Sequence, residues 1–89
     1  MINGEDAVTY KLVASPGSWN KTTNDSITPT FTIIKYIGNA ASNLTSGYTI
    51  KKAGENDAWN GSAIDETTTF DLYINGITNK VDSETVTAV

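Results

Sequence analysis

Thr67-Thr68-Thr69-Phe70-Asp71-Leu72-Tyr73-Ile74 alternates Phe70, Leu72 and Ile74 with Thr69, Asp71 and Tyr73, and Asn75-Gly76 follows at once. A period of two places the three large apolar residues on one face of a strand and the mainly polar set on the other. Asn-Gly is the strongest short turn signal in the chain, because both residues tolerate the positive φ that tight turns demand. The stretch therefore predicts a half-buried strand that ends in a turn with Gly76 in it.

Working outward, the same period recurs. Ala7 to Ala14 sets Val8, Tyr10, Leu12 and Ala14 against Thr9 and Lys11, a first strand. Thr30 to Ile37 carries apolar groups on both faces: Phe31, Ile33 and Ile37 with Lys35 on one, Ile34 and Tyr36 with Thr32 on the other. Such a strand is covered on much of both sides or lies at the centre of a sheet, and Pro29 marks its start, where a missing N–H does least harm. Tyr48 to Ala53 is a short alternating strand, and Trp59 adjoins a weak one that Asn60-Gly61 interrupts. The closing strand covers Glu84 to Val89. Between them, Ser15-Pro16-Gly17-Ser18 and Gly54-Glu55-Asn56-Asp57 read as turns, while Asn20 to Ser26 and Gly38 to Gly47 read as polar loops. Trp19 and Ile27 are placed to pin the first of these loops to the body. Six or seven short strands without a helical crossover predict an antiparallel sandwich. Phe31, Ile33, Phe70, Leu72 and Val86 are expected among its least exposed residues.

Size and composition agree with this reading. Eighty-nine residues support one core and leave no room for a second. Fourteen threonines, nine asparagines, seven glycines and seven serines are strand and turn chemistry. No window longer than about ten residues holds a helical apolar stripe. The chain has no cysteine, so neither disulfides nor thiolate metal sites contribute. Six lysines against ten acidic residues give a net charge of −4, the opposite of the clustered positive face that binds a phosphate backbone. The expectation is no nucleic-acid partner. No apolar run approaches the roughly 20 residues of a membrane helix, so no membrane span is expected either.

Chemistry-bearing residues are sparse. With neither histidine nor cysteine, the chain lacks the Ser-His-Asp and Cys-His arrangements and the common zinc ligands. Asp65-Glu66 and Glu55 with Asp57 are the acidic pairs. Carboxylates this close in turns are usually solvated rather than set across a cleft, and no calcium-loop spacing surrounds them. No catalytic residue, cofactor or metal is expected. Sequons stand at Asn20, Asn24, Asn43 and Asn60, in a number that a chain so rich in serine and threonine produces largely through composition. Trp19, Trp59 and Tyr48 could each serve a core or form a platform for sugar rings. Trp59 reads as a core anchor. Trp19, lying among Gly17, Ser18 and Asn20, is the residue to choose for carbohydrate contact, with Asn20 and Asn24 supplying hydrogen bonds.

Gly4-Glu5-Asp6-Ala7-Val8-Thr9-Tyr10-Lys11-Leu12-Val13, Phe31-Thr32-Ile33-Ile34-Lys35-Tyr36, Phe70-Asp71-Leu72-Tyr73 and Asp82-Ser83-Glu84-Thr85-Val86-Thr87 together resemble the immunoglobulin-like modules of bacteriophage and prophage tail fibre and tail tip proteins. The resemblance covers most of the chain and consists of strand wording rather than catalytic signatures. It implies an immunoglobulin-like antiparallel β-sandwich of about seven strands over residues 7–89, with residues 1–6 as a linker or an added start. It also implies a virion or extracellular setting, with neighbouring domains of the same fibre as partners and host cell-surface polysaccharide as a further one. The Cys, Trp, Cys arrangement of antibody domains is missing, so likeness to those is confined to architecture. Two functions stand side by side: a non-catalytic structural or host-surface-contacting module, and a carbohydrate-binding or adhesin module, which could be accessory to a glycosidase. Oligomeric state stays open, since tail fibres are often trimers and a lone module can be a monomer.

Overall fold

A computed structural model describes residues 7–89, and the segment expected to be a linker, residues 1–6, lies outside them. Seven strands follow in chain order: β1 (Val8–Ser15), β2 (Ser18–Trp19), β3 (Thr30–Ile37), β4 (Ala40–Leu44), β5 (Tyr48–Lys52), β6 (Thr68–Ile74) and β7 (Asp82–Ala88). They form a three-stranded sheet ordered β1-β3-β4 and a four-stranded sheet ordered β2-β7-β6-β5. The described residues contain no helix, so the protein is all-β in two sheets, and none of it is a helix long and apolar enough to cross a membrane.

Each inner face is the apolar face that the alternation picked out. Leu12 on β1 lies opposite Ile33 on β3. Phe70, Leu72 and Ile74 project from β6, and Val86 from β7. Together with Trp19 and Ile64 these are the buried core, with Phe70, Leu72 and Val86 at 0% exposure. Burying side chains of this size contributes about 1.5–3 kcal/mol apiece. β3, apolar on both faces, is the central strand of its sheet; Ile34 and Tyr36 on its outer face are half-buried between strand neighbours.

Four features differ from the sequence reading. Residues 38–47, expected as loop, contain β4, which pairs with β3 from Ile37↔Ala40 to Ile33↔Leu44. Gly38 and Asn39 make the two-residue link, with Gly38 at φ 60°. Glycine at the first central position of a two-residue hairpin is the signature of a type II′ turn. Trp59 belongs to no strand; instead its N–H donates to the Ile50 carbonyl at 2.8 Å. Phe31, expected among the least exposed residues, is half-buried, because it packs at the margin of the core. Finally, the sandwich is not purely antiparallel. After β1 the chain crosses to the other sheet through Ser15-Pro16, a cis peptide, and β2 pairs parallel to β7.

The turn after Ile74 is as expected: the Ile77 N–H donates to the Ile74 carbonyl at 2.9 Å, and Gly76 adopts φ 88°. A loop pinned by Trp19 and Ile27 is also present. The Trp19 indole N–H donates to the Asn24 carbonyl at 3.1 Å, and Ile27 and Ile64 exchange backbone hydrogen bonds of 3.0 and 2.8 Å.

One side chain ties the sheets together. The Leu12 N–H, which faces away from β3, donates to a carboxylate oxygen of Asp82 at the start of β7, at 2.7 Å. A charged acceptor at this length makes one of the stronger hydrogen bonds in a protein. Asp82→Ala leaves a part-buried N–H without its partner and is expected to destabilise by about 1.5–3 kcal/mol. Chemical denaturation of the two proteins measures the difference, and Asp82→Asn, which retains an acceptor, should recover part of it.

Candidate functional site

β4 is shorter than its neighbour. Its ladder with β3 stops at the pair Ile33↔Leu44, and beyond that point Phe31 and Thr32 have no strand beside them on that side. The chain then crosses to the second sheet and returns as β5 at Tyr48. The result is a notch of about 310 Å³, lined by Phe31, Thr32, Ile33, Asn43, Leu44, Thr45 and Tyr48. Its volume is at the low end of the range for small-molecule sites. Phe31, Leu44 and Tyr48 provide apolar and aromatic wall, while Thr32, Asn43 and Thr45 provide uncharged donors and acceptors. No lysine, aspartate or glutamate lines it. Chemically, such a surface suits a neutral, hydroxyl-bearing ligand that presents an apolar ring face.

The residues chosen from sequence for carbohydrate contact lie elsewhere. Trp19 is 7% exposed and belongs to the core cluster, so its ring faces are occupied by protein and offer no platform for stacking. Its one polar atom is already engaged with Asn24. The Asn20 side-chain oxygen accepts from the Thr22 N–H at 2.9 Å and from the Thr22 hydroxyl at 2.6 Å, a local turn that the asparagine side chain itself closes. The structure thus brings Trp19 and Asn24 together and leaves Asn20 and Asn24 exposed, in a loop-pinning arrangement.

Trp59 packs at the core margin, edge to face against Phe31 at 5.5 Å and Phe70 at 5.1 Å between ring centroids. Of the three aromatic residues weighed for sugar contact, Tyr48 is the one that lines the notch. Asn43 and Thr45 belong to a segment that alternation alone reads as loop. The Gly38-Asn39 dipeptide was the signal that could have revealed the hairpin bringing them there.

Ionisable groups are dispersed. Glu55, Asp57, Asp65 and Glu66 are all exposed. No group of three or more histidine, cysteine, aspartate or glutamate side chains converges among the described residues. Among the described residues the most enclosed acid is Asp71 on the outer face of β6, 6% exposed. It accepts from the Ser83 hydroxyl at 2.7 Å and pairs with Lys80 at 3.6 Å. Beside it the Lys51 ammonium lies 4.6 Å from the centre of the Tyr73 ring. Lys80 is 55% exposed, so solvent screens that ion pair and the serine hydrogen bond is the firmer contact. The cluster staples β5, β6 and β7 across their solvent face.

Compared with protein-family models, with curated proteins and with solved structures, the chain matches none.

Proposed function

We propose that this chain is a non-catalytic structural module of an elongated extracellular or virion assembly, an immunoglobulin-like sandwich of the kind its strand wording resembles in bacteriophage tail fibres. The observation that carries the reading is where the chain enters and leaves the sandwich. Asp82 at the start of β7 meets Leu12, whereas Thr87 and Ala88 at its end meet Ser18 and Trp19, so β7 runs alongside β1 and β2 in the same direction. Val8 therefore stands at one pole and Val89 at the other, roughly 35 Å apart at 3.3 Å per strand residue. A module with its two ends at opposite poles extends a chain in which it is placed in series; one with adjacent ends makes a side branch. The first pole also exposes Val8 and Ile37, at 48% and 47%, which face each other across β1 and β3. This is apolar surface of the sort that a neighbouring module covers.

The shift of the chain from one sheet to the other between β1 and β2, and the closing β6-β7 hairpin, support the immunoglobulin-like assignment, whereas the direct β5-β6 connection departs from it, since two strands of the other sheet intervene there in constant-type domains. The direct β3-β4 hairpin departs from it, because in constant-type domains the second strand passes to the opposite sheet. Two tests follow. A tandem of two copies joined in frame should gain about 35 Å in maximum dimension by small-angle X-ray scattering; a gain near zero, with the copies folded back side by side, would sink the serial reading. Antibodies raised against the domain should label tail fibres in electron micrographs of the source particle, and labelling elsewhere would remove the phage assignment.

The notch supports a second reading, contact with a neutral surface glycan. Screening the domain against bacterial surface polysaccharides tests it, with Tyr48→Ala expected to weaken any binding at least about fivefold, the equivalent of about 1 kcal/mol for a lost aromatic contact. No binding by the native domain, or binding indifferent to Tyr48, would remove it.

A further inference from the structure

We infer that β4 is a self-association edge, pairing antiparallel with β4 of a second copy across a two-fold axis through Ser42. Four strands end the two sheets, and three of them are blunted. β1 has its outward Leu12 N–H taken by Asp82. β5 is met by the Trp59 N–H on the Ile50 carbonyl. β2 is only two residues long, and shortness is itself a way to blunt an edge. β4 has none of these protections. Ala40, Ala41, Ser42 and Asn43 are exposed. Among the described residues, no backbone hydrogen bond outside the β3 ladder reaches residues 40–44. The strand carries no charge, no proline and no bulge, the devices by which proteins keep edges apart.

The free groups are also arranged to fit their own copy. Ile37 and Ala40 close the two-residue hairpin as a hydrogen-bonded pair, so Ala40, Ser42 and Leu44 turn their N–H and C=O toward β3, and Ala41 and Asn43 turn theirs outward. In the two-fold arrangement Ala41 stands opposite Asn43 of the second copy, and Asn43 opposite its Ala41. Each of these pairs exchanges two N–H to C=O bonds, four in all. Ser42 meets Ser42 at the axis, where small side chains approach most closely.

A neutral strand offers a foreign charged segment nothing to read, while like-with-like pairing here opposes no charges. The nearest cation in the row is Lys35, opposite Ser42 on β3. It would sit three strand spacings from its symmetry mate, about 14 Å, beyond a physiological screening length. The product is one sheet, β1-β3-β4 continued by β4-β3-β1 of the other copy. This association is lateral and independent of the end-to-end placement proposed above.

The ladder is short and buries far less than the ~800 Å² per partner of a standard interface, so the dimer forms at about 0.1–1 mM and gains from any assembly that holds copies together. Because the chain contains no cysteine, S42C gives a direct test: opposite residues at a non-hydrogen-bonded position lie within disulfide reach. Under mild oxidation S42C should form covalent dimers at least ten times faster than N56C, placed in the exposed turn before Trp59. In the second arm, sedimentation of the native chain near 1 mM should show a monomer–dimer equilibrium, and S42K, which sets like charges face to face at the axis, should weaken it about fivefold. Equal cross-linking rates for S42C and N56C, or a dimer that S42K leaves unchanged, would overturn the inference. Circular dichroism melts of the variants, at a position fully outside the core, verify that each remains folded.

Discussion

Phe70→Ala is expected to destabilise the domain by about 3–5 kcal/mol, the largest loss available from a single side chain here. Phe70 is fully buried on one of the two inner strands of the four-stranded sheet. Its ring is held edge to face by Phe31 at 4.9 Å and by Trp59 at 5.1 Å, contacts that add about 0.5–1.5 kcal/mol beyond the area buried. Alanine leaves a void bounded by two further rings that are themselves only half-buried, and their collapse into it would also deform the notch that Phe31 lines. A domain this small has a total stability of roughly 5–10 kcal/mol. The variant should therefore melt about 15–30 °C lower, or fail to fold at 37 °C, in a thermal scan followed by circular dichroism. Phe70→Leu preserves most of the volume and should cost less than half as much. A Phe70→Leu protein as stable as the native one would mean that the aromatic triangle contributes nothing of its own.

Trp19→Ala carries the second largest expected effect, about 3–4 kcal/mol, and it separates two roles for the same residue. In the structure Trp19 is a core side chain that also anchors the following loop through Asn24. Its loss should lower the melting temperature and increase amide exchange across residues 20–26. Trp19→Phe should retain most of the packing and lose chiefly the hydrogen bond, about 1 kcal/mol. A Trp19→Ala protein that melts like the native one while losing affinity for a glycan would restore the sugar-stacking role and refute the core assignment. Trp19 looked like a surface candidate in the sequence because its neighbours Gly17, Ser18 and Asn20 are turn residues. It is buried because β2 leaves the first sheet and pairs with the end of β7, Trp19 meeting Ala88 from the far end of the chain.

β4 shows the same limit from the other direction. Ala40-Ala41-Ser42-Asn43-Leu44 has no alternation to read, since the side chains from Ala40 to Asn43 are small or polar and exposed, and only Leu44 packs against the core. Such a segment becomes a strand because the Gly38-Asn39 turn folds it back against β3, whose other edge β1 has already engaged. The notch and the open edge both follow from that hairpin, and neither could be placed until the length of the β3-β4 ladder was known.

Local sequence determined the strands whose apolar period is legible, β1, β3, β5 and β6, together with the closing strand, the core residues Ile33, Phe70, Leu72 and Val86, and the turn at Asn75-Gly76. In each case a pleated backbone with one buried face requires that period and no other. The tertiary structure alone decided that Trp19 is inside and Phe31 at the margin, that β2 runs parallel to β7, that Asp82 engages the β1 edge at Leu12 and that β4 is left open. Those outcomes depend on which strand ends beside which, and pairing between distant segments leaves no periodic mark in either one.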